Sequence, residues 1–209
     1  MSGRLTGFAV ICRTMGAVLQ CFLNTQHLSP PPIVAKISAM TAIEVFQNWF
    51  AHERIGNQKM MEMLDSVSEE KRDLPDYKKA SNLAAHLIAC RVNWLNRIQA
   101  NEEGIGDWWP KVESHTELEG SLSQMELAWS AFLSDLTDEE FNRDFEFVLG
   151  DGRRIRWNVR GQLMQMVGHA FYHRGQISLL VDTLGGVTVD TDYLYWVMTT
   201  DPNYGVINA

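Results

Sequence analysis

His169 and His173 stand four residues apart in this 209-residue chain. On a helix that spacing puts two imidazoles one turn apart on a single face. Their ring nitrogens could then share a divalent ion at about 2.0–2.1 Å. His86, far upstream, lies beside Leu83 and Cys90 at the edge of an apolar stripe. Arriving from a facing helix, it would complete a three-histidine set with an open coordination position, the pattern of catalytic rather than structural zinc. A blander account stands beside this one. Paired histidines occur on solvated faces, and a single boundary histidine often makes only a structural hydrogen bond. The common metalloprotease form places Glu after the first histidine; Ala170 stands there, so that chemistry is not supported.

An ion held by three neutral imidazoles keeps its charge and suits two chemistries. A bound thiol would lose its proton and become a nucleophile near neutral pH. A bound water would have its pKa lowered to about 7 and attack an ester or amide. Imidazole accepts zinc, nickel, copper and iron, so the ligand set does not choose the metal. Two polar residues, Glu53 and Asn57, fall on the inward arc of their helix and need partners there. Glu53 is the candidate base of a hydrolase, and either residue could line the pocket. The other histidines, His27, His52 and His115, are expected to face solvent. His52 lies about 120° from the apolar centre of its helix. Trp108-Trp109-Pro110 is an aromatic loop that fits a pocket wall, an interface or a core cap equally well.

Four amphipathic segments must position these groups. The first runs from about Thr41 to Leu64 and opens with the capping box Thr41-Ala-Ile-Glu44. The second runs from after Ser81 to about Ala100. The third opens with Ser114-His-Thr-Glu117 and reaches about Leu136. The fourth begins near Asn158, an N-cap residue, and stops at Gly185-Gly186. Between the third and fourth, Phe145–Leu149 and Arg153–Trp157 flank Gly150-Asp151-Gly152 and read as a hairpin. A short helix is expected around Tyr193–Met198. The expected class is therefore all-α, a four-helix bundle with a small β-hairpin between helices three and four. The long links from helix one to two and from three to four leave room for a crossed-over packing order.

Residues 1–39 differ in character. Their apolar run, residues 7–23, is interrupted by Arg13 and Gln20 and is short for a membrane span. It lacks the flanks of a signal peptide. We read 1–39 as a flexible tail or an upstream start, and 40–209 as the domain. A net charge of −8 disfavours nucleic acid as a partner. Three cysteines form no disulfide framework, which points to a reducing, cytoplasmic setting.

The string His169-Ala-Phe-Tyr-His173-Arg174-Gly175-Gln176-Ile177 resembles the signature of the DinB-like metalloprotein superfamily. His86 in Asn82-Leu-Ala-Ala-His86 matches that family's helix-two histidine, and Asn57 resembles a recurring helix-one asparagine. The likeness spans about Met40 to Trp196. It implies a bundle with crossover connections, often dimeric, holding nickel or zinc on His86, His169 and His173. The superfamily includes thiol-dependent S-transferases and isomerases. By that analogy the expected activity is transfer of a small thiol to a small-molecule electrophile, with Arg174 pairing a carboxylate of the thiol. The alternatives are a metal-dependent hydrolase and a non-enzymatic metal-binding stress or interaction protein.

Overall fold

The structure is a computed structural model that describes residues 40–111 and 114–201. They fall within one compact unit, Met40–Ala209. The expectations for residues 1–39 and the apolar run within them lie outside the described residues.

Four long helices carry the fold: α1 (Ala42–Asp65), α2 (Pro75–Ile98), α3 (His115–Ser134) and α5 (Val159–Thr183). Two short ones, α4 (Asp138–Asn142) and α6 (Tyr193–Thr200), and an antiparallel hairpin, β1 (Asp144–Val148) with β2 (Arg154–Asn158), complete it. The mostly α class with one small hairpin is as expected. Among the described residues no helix is long and apolar enough to cross a membrane.

The helix starts follow local chemistry. At α1 the Thr41 N–H donates to the Glu44 carboxylate at 2.6 Å, and the Thr41 hydroxyl accepts from the Glu44 N–H at 3.2 Å. Two otherwise orphaned donors are satisfied there. Asn158 caps α5 by accepting from the Gly161 N–H at 2.7 Å. Gly185 ends α5 with a φ of +74°, a conformation that costs glycine little. One boundary differs from expectation. Helix α2 begins at Pro75, well before Ser81, because proline is favoured in the first turn, where its missing N–H costs no bond. The short α4, capped by Thr137, was not foreseen; its single buried residue, Phe141, leaves too little periodicity to read.

Helix α5 packs against α2 and α1, and α3 packs against the same two helices. Thus α3 and α5 face each other across the bundle, and the chain crosses over to connect them. The apolar stripes of all four long helices meet in one core that includes Met60, Leu64, Ile98, Trp129 and Ile177. The most extensive helix pairing is that of α2 with α5, the two elements that carry the histidines.

Candidate metal centre

His86 on α2 and His169 and His173 on α5 meet at that pairing. The His86 ring centroid lies 5.3 Å from that of His169 and 5.0 Å from that of His173. The two α5 rings are 4.5 Å apart, with their Nε2 atoms at 3.1 Å. His86 and His173 are buried and His169 is partly so.

Each of two rings is held through its other nitrogen. His86 Nδ1 is 2.6 Å from the carbonyl oxygen of Trp108. His173 Nδ1 is 2.8 Å from Gln176 Oε1. Both partners are acceptors, so each Nδ1 carries the proton and each Nε2 presents a lone pair. His173 Nε2 therefore confronts His169 Nε2 with nothing but a proton or a cation able to lie between them. Two nitrogens sharing a tetrahedral ion stand ~3.3 Å apart at ordinary zinc–nitrogen distances; the observed 3.1 Å is close to that. The donor set thus fits a divalent cation. Burial holds His169 down to about 4, and His173, Arg91 and His86 push the same way. His86 is lowered by burial, against the bond to Trp108, and further by His173. Neutral imidazole is the form that binds metal.

The loop over the site is pinned from α2. Asn93 exchanges two hydrogen bonds with Gly106, at 2.8 and 3.1 Å, and the Asn96 amide donates to Gly104 O at 2.6 Å. Arg97 lies over the rings of Trp94, Trp108 and Phe147 at 4.7–4.9 Å, tying loop and hairpin together. This fixes the Trp108 carbonyl on His86 and lays the Trp109 ring flat on the imidazole, with centroids 3.5 Å apart. Outside it, a cleft of about 630 Å³ is bordered by Lys78, Lys79, Trp109, Tyr172, His173 and Gln176. A hollow of about 230 Å³ between α2, the loop and α3 includes none of the histidines.

The remaining sequence candidates lie in a different buried layer. Glu53 is bound by Arg91, whose Nε and Nη2 both reach its Oε1 at 2.7 Å. It does not stand as a free base. Asn57 donates to Glu126 Oε1 at 3.2 Å and accepts from Arg174 Nη1 at 3.4 Å. Arg174 is 2% exposed and runs to α1, so close that a Cβ on Gly56 would sit 3.0 Å from its guanidinium carbon. One residue along from His173 on a helix is a turn of about 100° away. That rotation directs Arg174 toward α1, so it is not offered to a thiol's carboxylate at the cleft. Burial pushes it down to about 10, with Glu53 opposing and Arg91 adding to the shift.

Two histidine expectations need correction. His52 is 2% exposed, bonded to Thr191 O at 3.0 Å and packed against Phe171, Tyr193 and Trp196. The segment before α6 and α6 itself cover a face of α1 that its own periodicity reads as outer. His115 is half-buried, 3.2 Å from Asp65 and 3.5 Å from Glu119. Sequence reasoning also missed Arg91, which joins α2 to Glu53 and, at 2.8 Å, to Met166 O. The signal was present: Arg91 falls midway between Leu87 and Leu95 on the apolar stripe of α2.

Fold and cluster define a helical-bundle protein with a candidate metal centre between two long helices. The chain belongs to the DinB family, whose model matches residues 39–203. No curated protein and no solved structure matches it.

Proposed function

We propose that the protein binds one divalent ion, zinc or nickel, through His86, His169 and His173, and uses it to transfer a small thiol to an electrophile. The observation that carries the reading is the facing pair of Nε2 atoms with both His86 and His173 anchored through Nδ1. When bound, the ion would lower the pKa of a coordinated thiol and supply it as thiolate. The chain's own groups do the rest. Trp108 O and Gln176 hold the imidazole tautomers. Trp109 covers one face of His86 and keeps water from it. Tyr172 and Trp109 flank the cleft where an electrophile would lie. Lys78 and Lys79, exposed at its rim, are placed for the carboxylates of an acidic thiol or substrate, a task that Arg174 does not perform.

The test has two stages. Metal analysis of protein purified without a histidine tag should find close to one ion per chain, lost on His169→Ala. The loaded protein is then assayed with bacillithiol, mycothiol and glutathione against a panel of electrophiles. Metal-dependent consumption of one thiol is the expected result. Stoichiometric metal without turnover by any thiol would reduce the protein to a metal binder.

A further inference from the structure

We infer that the outward face of α5 is a self-association surface, on which two copies of this chain pack antiparallel about a two-fold axis passing between residues 171 and 172. The inference is independent of the metal reading and goes beyond it. Met164, Gly168, Tyr172, Gly175 and Leu179 are exposed on α5. At 100° per residue they fall within an arc of about 80°. Met164 and Tyr172 are each 63% exposed and Leu179 67%. One exposed apolar side chain is ordinary on a protein surface; three in line, with only glycine between them, form a patch. A Cβ on Gly168 or Gly175 would meet no atom within 4 Å among the described residues, so packing within the chain does not require glycine at either position. In mid-helix each glycine costs stability relative to alanine. The close approach of a second helix is what glycine there would serve.

The stripe is complementary to itself when reversed. Turned about its midpoint, Gly168 falls on Gly175, Met164 on Leu179 and Arg160 on Asp182, while Tyr172 falls close to itself. An interface between two copies related by a two-fold axis needs that property. The end charges select the antiparallel arrangement. Arg160 lies in the first turn of α5 and Asp182 in the last, each of the wrong sign for the helix dipole. Both are exposed, and neither enters an ion pair among the described residues. An antiparallel second copy sets each against its opposite; a parallel one would set like against like. Tyr172 also borders the cleft outside the histidines. Its place near the axis brings the two clefts side by side and gives each a wall from the second copy.

Sedimentation velocity of the full-length chain across micromolar concentrations tests the surface. The wild type should sediment as a dimer of the 23.8 kDa chain. Gly168→Glu and Gly175→Glu, which have free space outside the helix, should keep the helical circular dichroism of the wild type and sediment as monomers. Arg160→Glu and Asp182→Lys should each weaken the dimer about tenfold, since a single reversal is felt at both ends of the pair. The two reversals together should restore it. Each reversal suits the helix dipole better than the natural residue, so a lost dimer cannot be traced to a damaged helix. A wild type that stays monomeric, a dimer that survives both glycine substitutions, or a double reversal no better than the single ones would each overturn the inference.

Discussion

Two polar layers are buried in this bundle, and they solve the cost of burial in opposite ways. Between α1, α2 and α5, the Arg91 guanidinium meets the Glu53 carboxylate, while Arg174 reaches Asn57 and stacks over Phe171 at 5.1 Å. Most of that layer's charge is answered from within the chain. Between α2 and α5, three imidazole rings converge, and among the described residues no acidic side chain joins them. The rings of this layer meet at His169 Nε2 and His173 Nε2, 3.1 Å apart, a place that a proton or a cation can fill. A self-satisfied layer holds helices together; a cluster of uncompensated donors is an invitation to a cation.

The largest effect should come from breaking the first layer. Glu53→Gln leaves the buried Arg91 guanidinium without its carboxylate and should cost about 3–5 kcal/mol of stability. Urea unfolding of the metal-free protein measures it. A stable variant that has lost only turnover would restore Glu53 as a base and undo the distinction between the layers. In the second layer, His169→Ala should leave the stability of the metal-free protein nearly unchanged but remove stabilisation by metal. For the wild type, Zn²⁺ at 100 times its dissociation constant should add about 2.7 kcal/mol. Thermal melts with and without Zn²⁺ compare the two.

A finer comparison concerns the anchors. Gln176→Ala frees His173 Nδ1 and should weaken metal binding about 10–100-fold, read by competition with a chromogenic chelator. Equal affinity would mean that the anchor is ornamental.

Acid should also separate the regions. His169 has its folded-state pKa held down to about 4 against an ordinary 6.5. Stability should be at its plateau above about 6.5 and be lost progressively as pH falls toward 4, since only the unfolded chain takes up that proton easily. His52 and His86, also lowered mainly by burial, add to the same loss. In the metal-loaded protein the fall should be steeper, because protons compete with the ion. Unfolding midpoints across that range, with and without metal, test the sign. Lys79→Ala should have the smallest effect. An exposed charge pair contributes at most about 1 kcal/mol, so KM for an acidic thiol should rise only severalfold, and KM for a neutral one should not move.

Much of this was legible in the residues themselves. The capping groups Thr41, Ser114 and Asn158, the glycine stop after α5 and the hairpin around Gly150–Gly152 are written in short windows. Helix period and side-chain type act over one turn, so His169 and His173 could be placed on one face before any fold was known. What tertiary packing alone decided was which faces meet. Crossed-over packing sets α2 against α5, and that brings His86 onto the other two histidines. The same packing turns Arg174 to α1, hands Glu53 to Arg91 and seals His52 beneath the segment leading into α6. Periodicity describes a helix relative to its own axis. The neighbour that covers each face is chosen by the whole core at once, and no local window contains that choice.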